Sequence, residues 1–345
     1  MTLNNNGTIL VTGGAGYIGS HTTLSLLESG YDVVILDNLS TGSKEAVPEE
    51  AELIVGDIDD EMLVNAICKD YQIKAVIHFA GSIIVPESVI SPLSYYENNV
   101  SKTIIFLNVL HASGVEKVIF SSTAAVYGYA QTDEPIQENA LVSPLSPYGT
   151  SKLMIEWVLR DMSMAYDFNY IVLRYFNVAG ADPQGRTGQR SLQTTHLIKM
   201  VCETILGEQK ELVIFGDDYN TPDGTCVRDY IHVSDLADAH VKALVYLMNN
   251  KKSEIFNCGY GTGNSVKDIV VAAEKVSGEP FPVHVGPRRA GDPPSLIANS
   301  NKIRSDLQWE PKYDDLSVIV KTALDWEKKE LSQKSLEAES PNDQM

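Results

Sequence analysis

The sequence predicts an α/β protein: a doubly wound, mostly parallel sheet followed by a smaller C-terminal α/β lobe. Three observations lead there. Short continuous apolar runs alternate with helical segments through the first half, as in parallel strands covered on both faces. A glycine-rich turn joins the first run to the first helix. Beyond about Asn177 the alternation loosens into Pro-, Gly- and Asp-rich stretches, with helices between them.

Taken in order, Thr8 to Thr12 (TILVT) reads as a buried strand, and a helix follows from about Tyr17 to Ser29. Asp32 to Asp37, Glu52 to Val55, Ala75 to Phe79, Lys117 to Ser122 and Tyr170 to Tyr175 are the next five strands. Helices fall at Asp59 to Lys69, Pro92 to Ser113 and Pro147 to Tyr166. In the looser region helices are expected at Gln193 to Leu206, Ser234 to Met248 and Ser265 to Val276. The long stretches between them, AGADPQGRTGQ and FGDDYNTPDGT, have the character of binding loops. The expected division is residues 1–176, then a lobe over 177–329 whose elements can cross back to the first part. Residues 330–345 are polar without apolar period and are expected to form a mobile tail.

Composition narrows the possible functions. With 345 residues and 43% hydrophobic content the chain can bury a large core, which excludes wholesale disorder. A net charge of −19 argues against a broad nucleic-acid or anionic-membrane surface. No run approaches the roughly 18 apolar residues of a membrane span. The stretch MTLNNNGTILVTGG lacks the basic residues of a secretory leader, so a cytoplasmic protein is expected. Cys68, Cys202, Cys226 and Cys258 are widely spaced and read as buried free thiols. The seven histidines show no HxxxH or HExxH spacing, so no metal site is expected.

Gly13, Gly16 and Gly19 lie between the first strand and first helix as GGAGYIG. That spacing permits a tight turn, brings bare backbone against a pyrophosphate and packs the helix close to the sheet, the Rossmann-type fingerprint. Asp37 ends the second strand about 20 residues on. Its carboxylate can accept from both hydroxyls of an adenosine ribose and repel a 2′-phosphate, which favours NAD over NADP. Asp57 and Ile58 follow the third strand, where they would meet adenine. Phe79, Ala80 and Gly81 follow the fourth, where small residues let backbone pass close to a cofactor.

Tyr148 and Lys152 are spaced i, i+4 at the start of a helix and share one face. A free phenol has a pKa of about 10, so it needs a nearby cation to work as a base at neutral pH. Thr123 ends the fifth strand, where its hydroxyl can bridge a substrate oxygen and the tyrosine.

TGGAGYIG, DNLSTG, HFAG, SSTAAVYG, YGTSK and LRYFNVAGA together resemble the extended short-chain dehydrogenase/reductase superfamily. GDDYNTPDGTCVRDYIHVSDLADAH and PRRAGDP narrow the resemblance to the UDP-glucose 4-epimerases, over about Thr8 to Trp326. The resemblance implies tightly held NAD and reversible C4 epimerisation of UDP-glucose and UDP-galactose through a 4-keto sugar. It implies Tyr148 as acid/base, Lys152 as its electrostatic partner and nicotinamide-ribose anchor, and Thr123 as the bridging hydroxyl. The implied cofactor contacts add Tyr17, Ile18, Asn38, Leu39, Ser40, Thr41, Gly42, Ser82, Ile83, Asn98 and Phe176. The implied UDP-sugar contacts are Asn177, Arg228 and Arg289 at the diphosphate and Asp292 at the uridine ribose. Phe215, with Val213 and Ile214, would meet the uracil, and His196, Leu197 and Leu296 complete the set.

The chain departs from the family pattern in three places. Ser82 and Ile83 stand where many relatives have a lysine. His196 stands where some have an asparagine, and either contacts substrate or caps its helix. Leu296 holds a gate position whose size decides whether a C2 N-acetyl group enters, so UDP-N-acetylhexosamines and UDP-pentoses stay open as substrates. A 4,6-dehydratase or decarboxylase is disfavoured because Ala124 and Ala125, not an Asp-Glu pair, follow Thr123. A non-enzymatic NAD-binding regulator is disfavoured because Tyr148 and Lys152 are both present. Apolar residues on more than one side of the helices at Pro92 to Ser113 and Pro147 to Tyr166, with the resemblance, imply a homodimer through a four-helix bundle.

Overall fold

The computed structural model describes residues 6–129, 134–190, 196–250, 252–289 and 292–339. The elements begin β1 (Thr8–Thr12), α1 (Tyr17–Glu28), β2 (Asp32–Asp37), β3 (Glu52–Val55), α2 (Glu61–Asp70) and β4 (Ala75–His78). They continue with α3 (Val85–Ile90), α4 (Pro92–Tyr96), α5 (Lys102–Ala112), β5 (Lys117–Thr123), α6 (Pro147–Ala165) and β6 (Asn169–Tyr175). Next come β7 (Asn177–Ala179), α7 (Leu197–Ile205), β8 (Leu212–Phe215), β9 (Val227–His232), α8 (Val233–Asn250) and β10 (Glu254–Cys258). The last are β11 (Gly263–Ser265), α9 (Val266–Ser277), β12 (Val283–Gly286), β13 (Ser295–Leu296), α10 (Asn301–Leu307) and α11 (Leu316–Glu339).

Seven parallel strands run in the order β10-β6-β5-β4-β1-β2-β3. The order reverses between β1 and β4, and such a switch point opens a crevice at the strand C-termini. Alternation within each strand explains the double covering. Ile9 and Val11 of β1 enter the core under α8 and α10, while Leu10 enters the core under α2, α5 and α6. β2 does the same with Val33 and Ile35 against Val34 and Leu36. A third core joins α7, α9 and α11. There β9 is central, flanked by β11 and β13 over its first half and by β7 over its second. β10 crosses back to the edge of the large sheet, and α8 packs against α1.

Two expectations are corrected. The helix expected over Pro92 to Ser113 runs from Pro92 to Ala112 but widens into a π-helical segment, Glu97–Ser101, between α4 and α5. The tail expected from Glu330 instead continues α11 to Glu339. Its Leu, Ala, Glu, Lys and Gln content favours helix without an apolar stripe, and the Glu330 carboxylate pairs with Arg190 at 3.0 Å. Residues 340–345, the start of the helix expected from Gln193 and the extreme N-terminus (1–5) lie outside the described residues. The four cysteines are free and buried, as expected. Among the described residues no helix is long and apolar enough to cross a membrane.

Burial lowers the pKa of His78 and His232 to about 3 and of His21 and His240 to about 4. The folded state keeps all four neutral where the unfolded chain, with imidazoles near pKa 6.5, takes up protons. Stability is therefore expected to fall as pH drops from about 6.5 towards 4, by up to about 1.4 kcal/mol per pH unit for each histidine. Thermal melts at pH 7, 6 and 5 check this; an unchanged Tm would refute it.

Candidate active site

The glycine turn is shaped by contacts that leave no room for side chains. Gly13 has φ +71°, and a Cβ there would lie 2.7 Å from the Ala80 amide nitrogen, so the turns after β1 and β4 touch. A Cβ on Gly19 would lie 2.2 Å from the Gly13 carbonyl oxygen. Gly16 is the N-cap of α1, with no side-chain capping bond, so the first amides of the helix face the turn uncapped. A bare backbone cradle at an uncapped helix N-terminus fits a pyrophosphate. The Tyr17 side chain turns away from the cradle and donates to the Gly180 carbonyl at 2.6 Å. Ile18 packs into the core, so both residues offer the turn only their backbone.

Asp37 ends β2 beside this cradle. Its Oδ2 accepts from the Ala15 amide at 3.0 Å and its Oδ1 from the Leu39 amide at 2.8 Å. Leu39 takes a left-handed φ of +57°, the Asn38 side chain accepts from Ser40 N at 3.0 Å, and the turn closes through Thr41 to Gly42. A Cβ on Gly42 would press on Ala15 and Asp37 at 3.0 Å. Asp57 accepts from Asn38 Nδ2 at 3.0 Å and from Lys102 Nζ at 2.7 Å, while its own Oδ1 accepts from Ile58 N. Burial works against its charge, but the Lys102 ammonium and Asn38 amide hold its pKa below the usual value.

After β4, Phe79 and Ala80 amides donate to the Thr12 carbonyl at 2.9 and 3.2 Å. The next turn is held by two consecutive asparagines of the π-helical segment. Asn98 donates to Ser82 Oγ at 2.9 Å, and Asn99 accepts from Ser82 N at 2.7 Å and donates to Ser82 O and Ser151 Oγ. Ile83 is exposed. A Cβ on Gly81 would lie 3.7 Å from Lys152 Nζ, so this turn meets α6.

α6 starts where its sequence dictates. Ser146 Oγ accepts from the Gly149 amide at 3.2 Å and Pro147 takes the first turn, a cap and proline that fix the helix entry. Tyr148 and Lys152 are thereby set on its buried side. Lys152 Nζ donates to the Ser121 carbonyl at 3.0 Å and lies 5.0 Å over the Phe120 ring. Thr123 ends β5 and accepts from the Ala125 amide at 3.1 Å. Burial pushes Tyr148 up to about 12, opposed by the nearby Thr123 hydroxyl, and pushes Lys152 down to about 8. Both shifts run towards the uncharged form, but at neutral pH Lys152 stays largely protonated while Tyr148 stays neutral. Phe176 is buried just beyond β6, its amide donating to Cys258 O.

The residues expected at the UDP-sugar lie mostly at strand ends of the smaller sheets. Phe215 ends β8 after the buried Ile214 and the partly buried Val213. The Arg289 guanidinium lies 4.2 Å over the Phe215 ring, and its neighbour Arg288 lies 4.3 Å over Tyr219. Arg228 of β9 is in register with Leu296 of β13 and lies 3.9 Å from the Asp292 carboxylate. Asn177 opens β7, paired with Tyr230 of β9. Two residues of the PRRAGDP stretch, 290 and 291, lie outside the described residues. His196 occupies the N-cap of α7 but makes no side-chain capping bond, which removes one of its two expected roles. Its ring is 3.0 Å from Gln189 Nε2 and lines a pocket with Lys199, Trp326 and Glu327, while Leu197 opens α7 behind it.

Residues 9–259 match the model of the NAD dependent epimerase/dehydratase family. The chain belongs to that family. A UDP-glucose 4-epimerase of Azospirillum brasilense is 53% identical over 320 residues, 93% of this chain and 92% of the relative. A Stenotrophomonas maltophila UDP-glucose 4-epimerase solved with NAD and formylated UDP-arabinopyranose superposes with TM-score 0.92 at 35% identity, covering 95% of this chain and 100% of that one. A UDP-Glc/GlcNAc 4-epimerase of Campylobacter jejuni superposes with TM-score 0.83 at 48% identity, over 94% and 100%.

Sequence reasoning missed Asn99, Lys102, Ser121 and Ser151. Each acts across a turn or from a neighbouring strand, and no local spacing marks it. Gly19→Ala is expected to strip the protein of dinucleotide, because the new methyl would displace the Gly13 carbonyl. Cofactor content after purification, read by absorbance and mass spectrometry, checks this; full retention would refute it.

Proposed function

We propose that the protein interconverts UDP-glucose and UDP-galactose by reversible epimerisation at C4, with tightly bound NAD. The carrying observation is the buried Tyr148–Lys152 face of α6, with the Thr123 hydroxyl near the tyrosine and Gly81 beside the lysine. What the bound dinucleotide supplies is reversible acceptance of the C4 hydride.

In this reading residues 1–176 hold the dinucleotide and 177–329 the UDP-sugar. Gly13, Gly16 and Gly19, with the amides of Tyr17 and Ile18, cradle the pyrophosphate. Asp37 accepts from the adenosine ribose, the Asn38–Gly42 turn walls that side, and Asp57–Ile58 meets the adenine. Phe79 to Ile83, Asn98 and Phe176 line the nicotinamide side, and Lys152 holds its ribose. Tyr148 takes the proton of the C4 hydroxyl and returns it from the other face, while Thr123 bridges the sugar oxygen and the phenol. Lys152 and the positive nicotinamide ring favour the phenolate that burial alone disfavours. Arg228, Arg289 and Asn177 hold the diphosphate, Asp292 the uridine ribose and Phe215 the uracil, with Val213, Ile214 and Leu197 around it. His196 faces the substrate, and Leu296 sets the space at C2. Ala124 and Ala125, which follow Thr123 into a short 3₁₀ turn, have no group for the extra proton transfer a dehydratase needs.

The second subunit of the proposed homodimer would cover α5 and α6. Most of the apolar residues on these helices, including Phe106, Leu110, Ile155 and Leu159, fill the monomer's own core, which narrows the surface left over. Ile104, Trp157 and Met164 remain exposed. A monomeric mass by sedimentation at micromolar concentration would remove the dimer. A cytoplasmic location accords with the free thiols.

Incubated with UDP-galactose and no added NAD, the protein is expected to form UDP-glucose with deuterium at C4 retained. A 4-keto-6-deoxy product, or loss of the label to solvent, would refute the reading. Tyr148→Phe is expected to lower kcat by about 10²–10⁴-fold with NAD still bound; near-normal turnover would remove Tyr148 from its role.

A further inference from the structure

Glu156 and Arg174 form an ion pair in which only 3% and 4% of the side chains are exposed. Arg174 Nη2 donates to Glu156 Oε2 at 2.5 Å, and its Nε donates to Oε1 and Oε2 at 3.0 and 3.2 Å. A pair taken so far out of water stabilises a fold little, and apolar replacement of similar volume is often neutral or favourable. Its presence here points to a purpose other than stability, and the geometry supplies one. Glu156 is four residues beyond Lys152 and eight beyond Tyr148, so the three share a face of α6. Its Oε1 accepts from Ser122 Oγ at 2.5 Å, and Ser122 immediately precedes Thr123. Arg174 is the register partner of Ser122 on β6, as Tyr175 is of Thr123. Its Nη1 continues to the Tyr127 hydroxyl at 2.9 Å and the Glu138 carbonyl at 3.1 Å.

We propose that the Glu156–Arg174 pair is the positioning device of the reaction. It fixes the rotation and height of α6 against the ends of β5 and β6, and so sets the Tyr148 phenol against the Thr123 hydroxyl. Both are positioning residues, since they act through α6 and β5. The inference rests on the epimerase reading above.

The test compares wild-type holoprotein with Glu156→Leu/Arg174→Met and with Glu156→Gln. The double variant is expected to stay folded with NAD bound and to keep KM for UDP-galactose within about threefold, while kcat falls at least about tenfold, or about 1.4 kcal/mol of barrier. Its kcat–pH profile is expected to move to higher pH, because the Thr123 hydroxyl, which acts to lower the Tyr148 pKa, is shifted away from the phenol. A folded double variant with wild-type kcat and profile would overturn the proposal. If the double variant does not fold, Glu156→Gln decides: a drop in kcat with the same upward shift supports the proposal, and unchanged kcat overturns it. Titration of phenolate absorbance, taken against Tyr148→Phe, reads that shift without turnover. An inactive wild type would therefore sink the epimerase reading and leave the positioning claim still measurable.

Discussion

The cleft is governed by the withdrawal of one phenol and one ammonium from water. Tyr148 is driven up to about 12 and Lys152 down to about 8 by the same cause, loss of hydration. Each shift favours the uncharged form. For the phenol, a base at neutral pH needs the opposite, and the Thr123 hydroxyl supplies only part of the correction. The remainder must come from positive charge: in the proposed reaction the Lys152 ammonium is one source, and a positive nicotinamide ring is another of the right sign. In the proposed reaction the tyrosine is therefore a competent base chiefly when an oxidised dinucleotide is in place, which ties proton removal to the presence of the hydride acceptor.

Positioning such a pair requires rigid surroundings, because the value of a buried hydrogen bond depends steeply on its geometry. The structure supplies rigidity by bringing polar side chains from separate elements to single points. Ser122, Glu156, Arg174 and Tyr127 meet where α6 packs on β5 and β6. Asn99, Ser82 and Ser151 meet beside the lysine. Asp229, fully buried between β11 and β13, accepts from the amides of Tyr260, Gly261 and Ala298 at 2.8, 2.9 and 3.1 Å, and so ties the strands beside Arg228. In each case a buried polar group is satisfied by backbone or side chains remote in sequence, so loosening one partner leaves the others unpaired at a cost of about 1–3 kcal/mol each.

These cross-connections also explain what the sequence could and could not disclose. β1 to β6 are continuous apolar runs, and their bounds agree with the expected ones to within a residue. The glycine turn and the placement of Asp37, Tyr148 and Lys152 were legible for the same reason: each position is written in spacing along one strand–turn–helix unit. β7, β9, β11 and β13 were not placed, because they are short, paired with strands remote in sequence, and sit among loop-like residues. The π-helical segment left no mark, since ENNVS in the midst of a helix has no periodicity of its own. Asn99 and Ser121 work through turns contributed by other elements, so only the folded chain reveals them. α11 was missed for a different reason: apolar period was the criterion, and propensity alone carries that helix past Glu330.

Charge decides how such a site can hold its ligand firmly and still let part of it turn. A diphosphate entering a protein of net charge −19 is repelled at long range, so its binding must rest on nearby cations in a partly dehydrated cleft. Arg228 and Arg289 stand at strand and loop ends on the side of the proposed uridine pocket, one close to Asp292 and the other over Phe215. Planar guanidinium groups can each pair with two phosphate oxygens, which concentrates binding strength at the nucleotide. At the other end of the cleft the assigned hexose contacts are two hydroxyls, Thr123 and Tyr148, with Leu296 alongside. A hexose held by a few neutral hydrogen bonds, each contributing about 1 kcal/mol net, can rotate about its phosphate linkage while the nucleotide stays fixed. In the proposed reaction that imbalance lets the sugar present both faces to the Tyr148 phenol.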